Sequence, residues 1–172
     1  MNPEQPCLLA IAAYSGTGKT TLLKEIIPIL KSSGIRVGLI KHTHHHMDID
    51  TPGKDSYELR KAGAEQTMVV SSQRWALMTE TPDQQTPNLC DLAKKMDATA
   101  LDLILVEGFK QEKISKIVLF RQELGRSLED LLDEFVIAVA SDRALKTSIP
   151  QLDINQPEQI AIFIHRWLQR SR

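Results

Sequence analysis

The sequence predicts an α/β fold: a mostly parallel sheet flanked by helices, with an added antiparallel portion. Three observations point to it. Continuous apolar runs at residues 7–13 and 101–106 have the character of strands buried on both faces. Strand, loop, helix and strand recur in that order. Glycine and proline punctuate the changes between them.

The elements follow in order along the chain. Residues 7–13 form the first buried strand, followed by a glycine-containing loop. From 19 to 33 apolar residues recur at helical spacing (Leu22, Leu23, Ile26, Ile27, Ile29, Leu30), and Gly34 suits the C-terminal cap. Pro28 lies inside this helix and is expected to kink it or loosen one backbone hydrogen bond. Residues 36–41 are a second strand ending at a histidine cluster, and 47–54, with Pro52-Gly53, are loop. A short helix from about 55 to 62 ends at Gly63. Residues 66–71 and 74–79 are two strands joined tightly at Ser72-Gln73. The stretch 81–88, with two prolines, connects to a helix at 89–96.

Residues 101–106 form a buried strand ending at Glu107-Gly108. Strands follow at 116–120 and 136–140. Between them, 122–134 is polar and irregular or partly helical. The last helix is 157–169, with Pro157 in its first turn. No repeat, low-complexity segment or linker stands out. The 172 residues suit one domain, 1–172, with one sizeable core.

Composition narrows the function classes. Apolar residues make up 42% and charged residues 25%, as in ordinary globular proteins. A net charge of -1 gives no basic excess of the kind that nucleic-acid and membrane-surface binders carry. The two cysteines, Cys7 and Cys90, form neither a disulfide framework nor a metal-ligand spacing, which fits a reducing cytosol. The apolar run at 7–13 is too short for a signal or spanning segment. A soluble, cytoplasmic protein is expected.

In such sheets ligands bind beyond the carboxyl ends of the strands. Functional residues are therefore expected just after positions 13, 41, 106 and 140. The first of these places holds Ala13-Tyr14-Ser15-Gly16-Thr17-Gly18-Lys19-Thr20. This reads as a phosphate-binding loop, making the fold P-loop NTPase-like. Inward N–H groups and a helix N-terminus cradle phosphate charge. Gly16 and Gly18 allow close backbone approach. Lys19 supplies an ammonium to the β- and γ-phosphates, and Thr20 offers a hydroxyl to Mg²⁺. Thr21 can reach the α-phosphate. Ala13 stands where the usual pattern has glycine.

Phosphoryl chemistry also needs an acid near Mg²⁺. Asp102 and Glu107 flank one strand, about 16 Å apart if extended. Glu107 lies at the carboxyl end and is taken as the metal-site and catalytic acid beside Lys19. Asp102 belongs near the opposite edge, exposed or capping. The competing reading of Glu107 is a solvated strand-end residue.

The segment after the second strand, Lys41-His42-Thr43-His44-His45-His46-Met47-Asp48-Ile49-Asp50, lies on the same edge. Its four histidines can ligate a metal only with further partners; the alternative is a polar, mobile loop contacting phosphates or a second substrate. Lys41, His42, Asp48 and Asp50 are candidates for a second-ligand loop, with the aspartates reaching Mg²⁺ or a hydrolytic water. Asp142 follows the strand at 136–140. A carboxylate there can accept from both guanine edge donors, which adenine lacks. Asn-Lys-x-Asp is absent, and a helix N-cap is the other role for Asp142.

Several segments resemble one bacterial family. They are the glycine loop, Leu39-Ile40-Lys41-His42-Thr43-His44-His45, Pro52-Gly53-Lys54-Asp55-Ser56-Tyr57-Glu58-Leu59-Arg60-Lys61-Ala62-Gly63-Ala64 and Leu105-Val106-Glu107-Gly108-Phe109-Lys110. Together they resemble MobB, the molybdopterin-guanine dinucleotide biosynthesis adapter family. The resemblance runs over nearly the whole chain. It implies a GTP-binding homodimer with weak GTPase activity. It implies partners as well: the guanylyltransferase that joins GMP to molybdopterin, other cofactor-biosynthesis proteins, and molybdopterin itself. Two other readings stay open. One is a small-molecule kinase, for which Arg121, Arg126 and Arg143 are scattered lid candidates. The other is a protein whose nucleotide is only structural.

Overall fold

Eight strands and four helices make up the fold of the computed structural model, which describes residues 6–43, 47–81, 88–109 and 111–171. In chain order they are β1 (Cys7–Ala12), α1 (Lys19–Ser32), β2 (Val37–Lys41), α2 (Asp55–Lys61), β3 (Gln66–Val70), β4 (Trp75–Thr79), α3 (Leu89–Lys94), β5 (Leu103–Glu107), β6 (Lys116–Phe120), β7 (Val136–Ser141), β8 (Gln151–Asp153) and α4 (Pro157–Ser171). They fall into two units: residues 1–42 with 88–172, and residues 43–87.

The first unit is built on a six-stranded sheet in the order β2-β5-β1-β6-β7-β8, every neighbouring pair parallel. Parallel strands buried on both faces read as near-continuous apolar runs, and β6 is buried throughout and apolar after its first residue, Lys116. Alternate residues serve opposite faces. Leu9, Ile11, Leu103, Leu105, Ile117 and Leu119 belong to one core, with Leu22, Leu23 and Ile26 of α1 and Ile160 and Ile164 of α4. On the opposite face, Ala10, Ile104 and Val106 meet Leu89 at the start of α3. Ala12, Val118, Phe120 and Val139 are covered by Leu128, Leu131 and Leu132 from the β6–β7 connection. That connection has two short 3₁₀ turns, Gln122–Leu124 and Glu129–Leu131, where a crossover helix would ordinarily lie. Its far end is tied down by Lys116, whose buried Nζ lies 2.6 Å from Asp133 Oδ2.

The predicted elements are present, with differences at their ends. α1 runs without interruption through the exposed Pro28. The irregular reading of 122–134 holds, its helical part being the two 3₁₀ turns. β8 went unrecognised in the sequence because three residues, only Leu152 among them apolar, give no alternation to read. Asp102 does sit at the edge opposite the carboxyl ends. Its Oδ2 accepts from the Arg36 backbone N–H at 2.8 Å and from Arg36 Nε at 2.9 Å.

The second unit holds α2 and the antiparallel pair β3–β4, the expected antiparallel portion, in register Thr67↔Met78 and Val70↔Trp75. Its polar centre is Arg60, whose side chain is 7% exposed. The guanidinium donates to Asp48 Oδ1 at 2.7 Å, to Asp50 Oδ1 at 2.8 Å and to Glu80 Oε1 at 3.0 Å. A buried guanidinium needs such acceptors on its fork, and here α2 supplies the donor while the preceding loop and the end of β4 supply the carboxylates.

The Arg60 hydrogen bond, followed by the attraction of its charge, holds the Asp50 carboxyl below the ordinary aspartate value, against the opposing effect of burial. A lowered native value means that the unfolded chain takes up the proton first. This stabilisation is therefore whole above the ordinary value of about 3.9 and is lost as pH falls through the lowered one. Urea unfolding followed by Trp75 fluorescence in a Trp167→Phe background should show a loss of stability between pH 6 and pH 3 that Asp50→Asn reduces. An equally steep loss in Asp50→Asn would mean that the pair contributes nothing.

Candidate functional site

The register sets where the candidate residues lie. Lys41 pairs with Glu107 across β2 and β5, and Glu107 pairs with Ile11 across β5 and β1. These residues form a row at one edge of the sheet. The glycine loop begins two residues beyond Ile11. Ala13 is buried in the core beside Leu22 and Leu23, so its methyl group has a packing role where the usual pattern has glycine. Gly16 and Gly18 have φ of 84° and 92°, in the left-handed region where side-chain-bearing residues pay a steric cost. Gly18 is also the N-cap of α1, with no side-chain cap on its orphan N–H groups. Lys19 is half-buried at the start of the helix, and Thr20 and Thr21 are exposed on its first turn.

The loop is held from within and from one side. The Thr17 hydroxyl donates to the Tyr14 carbonyl at 2.9 Å, and Thr17 is 1% exposed. The Tyr14 hydroxyl donates to the Ser127 carbonyl at 3.0 Å and to Asp130 Oδ2 at 3.2 Å. Burial, then the hydrogen bond to Asp130, raises its pKa. Ser15 is exposed. Arg126 lies over the Tyr14 ring at 5.7 Å, and Arg121 Nε donates to the Thr17 carbonyl at 3.2 Å. The 121–130 stretch thus belongs to the site, which the sequence reading missed. Applying the strand-end rule to β6 as well would have pointed to Arg121. Arg143 instead lies over Phe120 at 5.8 Å.

Glu107 is mostly buried, its side chain 13% exposed, with Lys41 Nζ 3.6 Å from Oε2. It is therefore not simply a solvated strand end. The chain turns at once. The Glu107 carbonyl accepts from the His42 N–H at 2.8 Å, and Gly108 has φ 95°. The His42 and Phe109 rings lie 5.1 Å apart.

Asp142 is exposed, one residue past β7, and its Oδ1 accepts from the Gln122 N–H at 3.3 Å. No helix begins there, so the N-cap role does not apply; the next element is β8. Asp48 and Asp50 lie in the second unit, bound to Arg60. His44, His45 and His46 lie outside the described residues. Among the described residues no three His, Cys, Asp or Glu side chains group as a metal site, and no helix is long and apolar enough to cross a membrane.

A Cβ on Gly108 would lie 2.7 Å from the His42 carbonyl oxygen and 3.0 Å from His42 Cβ, in a backbone already at positive φ. Gly125, at φ 59°, meets nothing within 4 Å. Gly108→Ala should therefore cost about 3 kcal/mol or more in urea unfolding, against about 1 kcal/mol for Gly125→Ala. Equal costs would show that the turn after Glu107 relaxes freely.

Comparison with known proteins bears on this geometry. The family model described as MobB, molybdopterin guanine dinucleotide synthesis protein B, matches residues 8–142. The molybdopterin-guanine dinucleotide biosynthesis adapter protein of Escherichia coli (strain K12) is 63% identical over 165 residues, covering 95% of this chain and 94% of that one. The protein described in the same words from Haemophilus influenzae is 50% identical over 168 residues, covering 98% and 92%. Among solved structures, a crystal structure of molybdopterin-guanine biosynthesis protein B superposes with a TM-score of 0.76 at 25% identity, covering 94% of this chain and 99% of that one. A MobB homologue from Bacillus stearothermophilus gives a TM-score of 0.72 at 25% identity, covering 96% and 99%. With a family match over most of its length and close relatives covering nearly all of it, the chain belongs to the MobB family.

Proposed function

We propose that this protein is a GTP-binding adapter with weak GTPase activity that assists the synthesis or delivery of molybdopterin guanine dinucleotide. The observation that carries the nucleotide part is the loop between β1 and α1. Two glycines at positive φ lead directly into the Lys19-Thr20 helix start, with Glu107 on the neighbouring strand. The adapter part rests on family membership and on the names its relatives carry. The proposal includes a homodimeric state and a partner, the guanylyltransferase that joins GMP to molybdopterin, as the resemblance of the sequence implies.

Each residue has a task in this reading. Backbone N–H groups of residues 16–20 bind phosphate oxygens, and the α1 N-terminus adds its dipole. Lys19 balances charge on the β- and γ-phosphates, and Thr21 reaches the α-phosphate. The Thr20 hydroxyl and the Glu107 carboxylate form a hard oxygen donor set that suits Mg²⁺. Mg²⁺, when bound, neutralises phosphate charge. Lys41 already attends Glu107, so a cation binding there competes with that ammonium. Lys41 and His42 border the position of a second ligand in this proposal. Asp142 accepts the guanine edge donors.

Calorimetric titration with Mg-GTP and Mg-ATP tests the reading. Lys19→Ala should weaken GTP binding by about tenfold or more, the worth of a charge-assisted hydrogen bond. Asp142→Asn should weaken GTP binding by a similar factor while leaving ATP binding unchanged, which narrows the preference for GTP over ATP. Lys19→Ala binding like the wild type would sink the nucleotide site, and an unchanged preference in Asp142→Asn would sink the base assignment alone.

A further inference from the structure

Arg121 is the first residue after β6, at the carboxyl edge of the sheet, and its guanidinium donates to two acceptors. Its Nε donates to the Thr17 carbonyl at 3.2 Å, and an outer nitrogen donates to Asn155 Oδ1 at 3.1 Å. Thr17 lies inside the glycine loop and is itself held by the bond from its hydroxyl to the Tyr14 carbonyl. The guanidinium is planar with a fixed fork, so two acceptors fix its orientation.

The peptide that joins Thr17 to Gly18 is trans. In a planar trans peptide the C=O and the following N–H point to opposite sides. An arginine that holds the Thr17 carbonyl therefore also fixes the direction of the Gly18 N–H, away from Arg121. At φ 92° Gly18 lacks the Cβ that would otherwise limit this peptide's rotation, so an outside contact has to define it. The same chain segment touches the loop elsewhere: Leu124 Cδ2 lies 3.7 Å from where a Gly16 Cβ would stand, and Ser127 and Asp130 accept from Tyr14.

We propose that Arg121 is a positioning residue that braces the Thr17–Gly18 peptide, so that the Gly18 N–H is presented to the phosphates without rearrangement on binding. Arg121 acts through the backbone and is not itself a phosphate ligand. Preorganised donors cost less to engage than mobile ones. The inference rests on the GTP reading above.

The test compares wild type, Arg121→Ala, Asn155→Ala and Lys19→Ala by Mg-GTP titration and by amide NMR with inorganic triphosphate as the phosphate probe. Arg121→Ala should bind Mg-GTP about tenfold more weakly. Its Gly18 amide should lose the shift that triphosphate induces in the wild type, while the Lys19 and Thr20 amides keep theirs. Guanidinium ion at millimolar concentration should restore part of the affinity to Arg121→Ala. Asn155→Ala, which keeps the arginine but releases one side of its fork, should show a smaller loss of the same kind. It also carries the test should Arg121→Ala not fold. If Lys19→Ala loses GTP while Arg121→Ala, or Asn155→Ala in its place, keeps full affinity and an unchanged Gly18 shift, the brace is overturned and the GTP reading stands. Uniform loss of the Gly18, Lys19 and Thr20 shifts would also overturn it, because that marks a lost phosphate ligand or a collapsed loop. Wild type that binds no GTP overturns both.

Discussion

The parallel register of the six-stranded sheet is the constraint on which the rest depends. Parallel pairing sends every strand in the same direction, so all carboxyl ends reach one edge and every connection must cross back. In the row Lys41, Glu107 and Ile11, residues 30 and 96 positions from Ile11 become lateral neighbours. A sheet buried on both faces also leaves no room for polar side chains along most of its length. The candidate site residues therefore gather where the strands stop: the glycine loop after β1, Lys41 and His42 at β2, Glu107 at β5, Arg121 after β6 and Asp142 after β7.

The connection between β6 and β7 does two jobs that are easily separated in thought but joined in the chain. Leu128, Leu131 and Leu132 close the core over Val118 and Phe120. Arg121, Ser127 and Asp130 meanwhile hold the glycine loop through Thr17 and Tyr14. Lys116 and Asp133 anchor the far end. Packing energy in one face of the sheet thus stabilises the conformation of a loop at its edge.

Much of this was legible in the sequence, because long apolar runs and helical spacing survive any tertiary context. The glycine loop, the choice of Glu107 over Asp102 for the carboxyl edge, and the antiparallel pair were all readable from spacing alone. What was not legible depends on which side chains meet. The three-residue β8 gains its place by pairing with β7 and carries no pattern of its own. Arg60 lies within a segment that carried the family resemblance, yet nothing in its spacing says that it gathers Asp48, Asp50 and Glu80. Arg121 and Arg126 of the β6–β7 connection form no cluster in the sequence, and their contacts are with the backbone and ring of the glycine loop.

The central claim is that nucleotide phosphates bind the loop between β1 and α1, braced by the β6–β7 connection. Hydrogen–deuterium exchange on the full chain, with and without Mg-GTP, tests this most directly. The account predicts strong new protection at residues 15–21 and in the stretch around 121–130, because ligand engages the loop amides and the loop in turn holds the connection. Saturating GTP that leaves residues 15–21 exchanging as before, or protects only a surface elsewhere, would contradict it.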